Sequence, residues 1–368
     1  MKTEIVKTSI GGVTRVGTKL NSSDIIGAIK VRWLIGRDNY RVEPGLYAVG
    51  NPDNSSDVFV TANYKLSFDH LRKNLDGINA WILVLDTKGV NVWCAAGKGT
   101  FGTQELVHRI KTTQLDKIIS HRRIIIPQLG ATGISAHQVK ELTTPAPSLK
   151  IQQPNLSAIK FSSENLELKV DKGFKVIYGP VRAEDIKPFI ANGYKTTSEM
   201  RKVTFNFSDR IKLTPVDIVY ARYKLLIAFA VIFILSGLNN TGISFHQAID
   251  KGLPAMLNIT LAYLTGIVIT PILLPYIPFR MFALKGLISG IILSFILLYF
   301  NKLGESIFET ISWFLLISGI SSFMAMNYTG ASTFTSLSGV KKEMRVFVPV
   351  QITFATIGLI LFVLSKLI

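Results

Sequence analysis

The sequence predicts an α/β domain with a largely parallel sheet, followed by an all-α membrane domain of five transmembrane helices. Three observations predict it. In the first half, short apolar runs alternate with helically spaced segments, and each run stops at a Gly or Pro loop. In the second half, five apolar stretches each approach the length needed to cross a bilayer. Charge divides the same way. Of 41 basic and 24 acidic residues, ten and five lie from Asp217 onward, which leaves about +12 of the net +17 on the leading part.

Taken in order, residues 1–38 are mixed in character and read as an N-terminal extension, in which 25–34 suits a strand or a short helix. The compact domain, 39–200, opens with a turn at Pro44-Gly45 and a short strand at 46–49. A second strand, 58–62, ends at Asn63, and 68–75 has helical spacing. The apolar run 80–86 then feeds a turn at Thr87-Lys-Gly89, the segment 91–98, and a helical pattern at 103–111. Ile124-Ile-Ile126 is a strand stopped by Pro127, and 135–142 is a helix with Ser135 as its cap. Residues 143–153, rich in Pro, Thr and Ser, read as a linker; 174–178 is a strand broken by Gly179-Pro180, and 183–191 is helical. Ligands of such sheets sit at the carboxyl ends of the strands, here the loops at Asn63, 128–133 and 179–182.

A linker, 201–218, leads to the membrane domain, 219–368, with spans at 219–238, 254–274, 285–300, 307–327 and 347–367. The third is the shortest and draws on 283–284. Buried helices of a large soluble core are the alternative, but those would show polar faces. Lys and Arg set the orientation. Arg201, Lys202, Arg210, Lys212, Arg222, Lys224, Arg280, Lys285, Lys341, Lys342 and Arg345 fall on one side, against Lys251, Lys302 and Lys366 on the other. The soluble domain and N-terminus are therefore expected in the cytoplasm, on a multi-pass protein of the inner membrane, with the C-terminus outside. Met1-Lys-Thr-Glu-Ile5 lacks a signal-peptide core, consistent with that side. The connection 329–345, dense in hydroxyl side chains, reads as a long loop, either merely solvated or a docking element. Basic residues are scattered without interleaved aromatics, so attraction to an anionic lipid surface explains the charge better than nucleic acid.

Cys94 is the only cysteine. It excludes an internal disulfide and any four-cysteine iron–sulfur cluster built from this chain alone. A lone cysteine is most often a small buried hydrophobe. Its neighbours Ala95, Ala96, Gly97 and Gly99 are small and suit close approach by a flat ligand, and a helix start favours thiolate, the form that ligates metals. Other chemistries fit less well. Residues 96–100 are not a P-loop, because Val92 stands where the first Gly is required and Gly99 where Ser or Thr is. His70, His108, His121 and His137 have no local motif for a Cys–His pair, and there is no zinc-ligand spacing.

The stretch Asn91-Val-Trp-Cys-Ala-Ala-Gly-Lys98 resembles, at every position, the cap-helix signature of the mercury-methylating corrinoid protein family. The flanks 44–50, 60–65, 127–130, 178–183 and 329–345 are similar to it too, and to the corrinoid domain of the corrinoid iron–sulfur protein of acetyl-CoA synthesis. The resemblance covers about 40–210 and the membrane tail. It implies a Rossmann-like corrinoid-binding domain with Cys94 as catalytic residue and lower ligand to the cobalt of a cobalamin-type corrinoid bound base-off. Cofactor contacts are implied at Asn63, Asn91, Val92, Trp93, Cys94, Ala95, Ala96, Gly97, Lys98, Gly99, Gln128, Leu129, Gly130, Ala131, Tyr178, Gly179, Pro180, Val181 and Arg182. The implied activity is methyl transfer from cobalt to Hg(II), forming methylmercury. A thiolate below cobalt is a strong donor and favours a carbanion-like or radical methyl. The implied partners are a ferredoxin with two [4Fe–4S] clusters, which restores Co(I), and a methyltetrahydrofolate-linked methyl donor. Alternatives are a methyl carrier with another acceptor, and a transporter or receptor for mercury or corrinoid. The tail has no cysteine for a soft metal and few charges expected to be buried.

Overall fold

The computed structural model describes residues 4–145, 173–331 and 337–368. Residues 146–153 of the expected linker lie outside these. The chain forms two compact units, Met1–Val31 with Gly36–Lys202, and Arg32–Ile35 with Val203–Ile368.

The first unit is built on a seven-stranded sheet: β1 (Ile5–Thr8), β2 (Gly11–Arg15), β3 (Gly45–Val49), β4 (Val58–Ala62), β5 (Ala80–Leu85), β6 (Arg123–Ile126) and β7 (Lys175–Tyr178), in the order β1-β2-β3-β5-β4-β6-β7. Strands β5, β4, β6 and β7 are parallel. Strands β2 and β3 are parallel too, so four of the six pairings among these strands fit the expectation of a largely parallel sheet, and two depart from it. Strand β3 runs antiparallel to β5, with Val49 opposite Ala80, and β1 is antiparallel to β2, so the sheet is mixed. The leading 38 residues also do not stand apart. They supply β1, β2 and α1 (Ser22–Arg32), and β2 pairs with β3.

Burial explains the central strands. Val58, Val60, Ala62, Trp81, Leu83, Leu85, Ile124 and Ile126 join one core, with Ala95, Ala96, Leu106, Ile110, Ile118 and Val139. Those partners come from α3 (Val92–Lys98), α4 (Thr103–Thr112), α5 (Leu115–Ile118) and α6 (Ala136–Thr143). Phe59, Ile82, Val84 and Ile125 join the other core, under α2 (Lys65–Asn74) and α7 (Ile186–Ala191) through Phe68, Leu71 and Phe189. A sheet covered on both faces reads as continuous apolar runs rather than alternation. The crossover after β4 covers one face and the crossover after β5 the other, so the winding reverses between β4 and β6.

The second unit is helical: α8 (Phe207–Ser236), a short hairpin of β8 (Leu238–Asn239) and β9 (Gly242–Ile243), α9 (Phe245–Leu264) continuing through a π turn into α10 (Thr270–Ile272), α11 (Phe282–Tyr299), α12 (Ile307–Ala331) and α13 (Leu337–Leu367). Among the described residues, five helices are long and apolar enough to cross a membrane, Phe207–Ser236, Phe245–Ile272, Phe282–Tyr299, Ile307–Tyr328 and Gly339–Leu367.

Three expectations about this part are corrected. Residues 207–218 are not linker, because Asn206 accepts the Asp209 N–H at 3.0 Å and starts α8 there. The stretch 329–345 is not a long loop, because α12 runs to Ala331 and α13 starts at Leu337; residues 332–336 lie outside the described ones. Helix-forming Lys341, Lys342, Glu343 and Met344 extend α13 beyond its apolar part. Buried charge is also more frequent than expected, since Arg210, Asp217, Lys285 and Glu343 are all buried. Glu343 accepts the Ala283 N–H and satisfies the start of α11.

Candidate functional site

Cys94 sits on α3, which follows the carboxyl end of β5. The helix starts there because Asn91 caps it, its side chain accepting the Cys94 N–H at 2.9 Å. It ends at Gly99, whose φ of 82° is the left-handed cap that glycine adopts without strain. Ala95 and Ala96 face the core. Cys94 is partly exposed, and Gly97, one helical step along the same face, is exposed with open space where a Cβ would be.

The loop that delivers α3 is held from beneath. Asn63, at the end of β4, is 1% exposed. Its Oδ1 accepts from the Thr87 N–H at 3.1 Å, the Thr87 hydroxyl at 2.9 Å and the Gly89 N–H at 3.0 Å, and its Nδ2 donates to Asp86 at 3.2 Å. The Asp86 N–H donates to Glu105 at 2.8 Å, and Arg109 holds that same carboxylate at 2.8 Å. Burial pushes the Asp86 carboxyl up, but hydrogen bonds from the Lys88 ammonium and N–H, with Lys88 and Arg109 charge, more than reverse it and hold it below the usual range.

The loop after β6 packs behind α3. A Cβ on Gly130 would lie 2.5 Å from the Phe101 ring, and one on Gly133 would strike the Phe101 carbonyl and sit 3.1 Å from Ala96 Cα. The Gln128 N–H donates to Pro180 O at 3.3 Å, joining the loops after β6 and β7. The loops after β4, β5, β6 and β7 therefore meet at one edge of the sheet, where the winding reverses. Open α/β sheets bind ligands at that place. A cleft of about 510 Å³ beside Arg15, Asp76 and Asn79 lies at the opposite edge, where β3 ends and β5 begins.

The residues expected to touch a cofactor divide accordingly. Cys94, Gly97, Lys98 and Gly99 are accessible on α3, with Asn91, Val92 and Trp93 half-buried at its start. Gln128, Leu129, Ala131, Val181 and Arg182 are half-buried on the two neighbouring loops. The others are turned to structure. Ala95, Ala96, Gly130, Gly179 and Pro180 are buried, the Asn63 side chain is committed to the 86–89 turn, and the Tyr178 hydroxyl donates to Ile134 O at 2.9 Å. Thr87, Glu105 and Phe101 also belong to this edge, beyond the loops the sequence indicates. Only the Thr87-Lys-Gly89 turn signal pointed toward one of them.

The donor set is one sulfur, and among the described residues no group of three or more His, Cys, Asp or Glu converges on a metal position. A single outward thiol beside small residues, with open space over Gly97, suits a flat metal-bearing ring that brings its own equatorial ligands. It does not suit a bare ion, which needs several protein donors.

The sequence profile described as CO dehydrogenase/acetyl-CoA synthase delta subunit matches residues 23–153. Over 93 residues the chain is 38% identical to the acetyl-CoA decarbonylase/synthase complex subunit gamma of Methanocaldococcus jannaschii, covering 25% of this chain and 19% of that one. The same subunit of Methanopyrus kandleri is 36% identical over 97 residues, 26% of this chain and 21% of its own. The corrinoid/iron-sulfur protein large subunit of Moorella thermoacetica is 30% identical over 105 residues, 28% of this chain and 23% of its own. The chain thus spans about a fifth of the length of the curated relatives it matches. The profile match begins inside α1, earlier than the resemblance seen at the motifs.

Proposed function

We propose that this chain is a membrane-anchored corrinoid protein that carries a methyl group on cobalt above the Cys94 thiolate and passes it to Hg(II). One observation carries the reading: a single accessible cysteine on a capped helix, at the carboxyl edge of parallel strands, beside the open face of Gly97. The likeness of this segment to subunits of acetyl-CoA synthesis, one of them named as a corrinoid protein, supports it.

A bound corrinoid would supply the methyl-bearing cobalt, and Cys94 would be the residue that holds it and makes it a better methyl donor to an electrophile. The protein's own residues do the positioning. Asn91 fixes the backbone of Cys94, and the Asn63–Thr87 contact fixes the turn before it. Ala95 and Ala96 anchor the helix in the core, which leaves Gly97 and Gly99 free to admit the ring. Gln128, Leu129, Ala131, Val181 and Arg182 border the same edge. One cysteine is too few for a four-cysteine cluster built from this chain alone, so a two-cluster ferredoxin is the proposed reductant, and a methyltetrahydrofolate-linked methyltransferase the proposed donor. The five apolar helices anchor the protein in the cytoplasmic membrane, and the Lys and Arg distribution favours the α/β unit on the inner side.

The test is the visible spectrum of the corrinoid-loaded protein beside that of Cys94→Ala, with methylmercury measured in the presence of the ferredoxin. Cys94→Ala is expected to change the spectrum and abolish methylation. An unchanged spectrum removes the ligand assignment. A changed spectrum with transfer only to another acceptor favours a methyl carrier of the acetyl-CoA type, which the relatives' names also suit.

A further inference from the structure

Helix α1 is packed inside-out. Its carboxylate, Asp24, is 5% exposed, with Oδ1 2.6 Å from Lys65 Nζ and Oδ2 2.7 Å from Arg72 Nη2. Val31 is buried, and Gly27 lies so close to the Tyr40 ring that a Cβ would meet its hydroxyl at 2.5 Å. These contacts fix which side of the helix faces the domain. The other side carries Ile25, Ile26 and Ile29, which are 51%, 52% and 53% exposed. Residues one turn apart on a helix are neighbours, so the three make one patch.

The sequence around the patch has the composition of a lipid-interface element. Lys30 follows it, and Trp33, just past the end of the helix, is 43% exposed. Exposed isoleucines with a Trp and a cation beside them are side chains that favour the headgroup region. The excess of cations on the leading part of the chain adds attraction to an anionic surface. A second copy is a poorer occupant, because it would set the same cations against one another.

We propose that the outward face of α1 inserts into the anionic headgroup boundary of the bilayer. This rests on the reading of the five long helices as membrane spans. The test uses the full chain in nanodiscs, with p-benzoylphenylalanine at position 29, separately at 25, and as a control at the exposed Lys111 of α4. Position 29 is exposed, so the probe leaves the fold intact; position 25 gives an independent reading. Mass spectrometry after illumination is expected to find lipid adducts at 25 and 29 and none at 111, with yield falling when phosphatidylglycerol is replaced by phosphatidylcholine. Adducts to protein alone, or no lipid adduct while the chain stays in the disc, overturn the proposal. Equal yield in both lipids overturns its electrostatic part. Failure of the chain to enter discs overturns the membrane reading itself.

Discussion

The side-chain oxygen of Asn91 accepts the backbone N–H of Cys94 at 2.9 Å, so the residue that starts helix α3 also fixes the residue that offers the sulfur. Removing a side-chain cap costs about 1 kcal/mol. Asn91→Ala is expected to raise amide exchange over 92–98 about fivefold, the equivalent of that energy. Asn91→Ser, which keeps an acceptor, is expected to restore most of the protection. If both variants exchange like the parent, the cap does not hold the helix.

Asn63 is expected to be more costly. Asn63→Ala leaves the buried Thr87 N–H and the partly buried Gly89 N–H without their acceptor, while the Thr87 hydroxyl keeps Val90 O at 2.6 Å. Buried donors left unmade destabilise by about 1–3 kcal/mol each, with partial relaxation, so a loss of about 2–4 kcal/mol is expected in denaturant unfolding of the first unit. Thr87→Val removes one donor and leaves Asn63 serving the two N–H groups, so its loss must be the smaller. The reverse order would mean that Asn63 is not the keystone of this turn.

Much of this was legible in the chain, for physical reasons that also mark the limits. Strands β4 and β5 are buried on both faces, so their residues form nearly continuous apolar runs, interrupted only by Thr61, that no turn signal breaks. Strands β1 and β2 are a mostly exposed hairpin with polar residues on both sides, and nothing local distinguishes them from a loop. The antiparallel course of β3 is equally hidden, since its residues would look the same in either direction. At the site, Asn91 and Gly99 bracket Cys94 with the residue types that begin and end a helix, which made the segment readable. The supports behind it were not. Asn63 meets Thr87 across 24 positions and Glu105 meets Asp86 across 19, and pairing over such separations follows from the fold.

The charge cluster that holds α1 predicts stability that falls at both ends of the pH range. Burial pushes Asp24 up, but Lys65, the Asn21 N–H and Arg72 more than reverse it, leaving its pKa below the ordinary 3.8. Its contribution is complete above that ordinary value and is lost as pH falls through the lower folded one. Burial pushes Lys65 down, but Asp24 and Asp69 more than reverse it, leaving its pKa above the ordinary 10.5. Its contribution is complete below 10.5 and is lost as pH rises through the higher folded value. Thermal unfolding against pH is expected to show a flatter acid limb in Asp24→Asn. Arg72→Met leaves two buried carboxylates short of a partner and is expected to cost about 3–5 kcal/mol at neutral pH.

In the second unit α11 and α12 approach each other closely over small residues. A Cβ on Gly286 would collide with Ser321 O and lie 2.5 Å from the Ala325 Cβ, and one on Gly290 would lie 2.7 Å from Ser318 Cα. In lipid there is little hydrophobic gain from joining two apolar helices, so close backbone approach over small residues supplies the attraction. Gly286→Leu must push the helices apart or distort them, at a cost of about 1–3 kcal/mol. Ile292, on the same helix but 53% exposed, provides the control, since Ile292→Leu conserves volume at a half-exposed position. Unfolding in a denaturing detergent is expected to shift to lower detergent fraction for Gly286→Leu and to stay in place for Ile292→Leu. Equal behaviour of the two would mean that the small-residue seam does not hold these helices together.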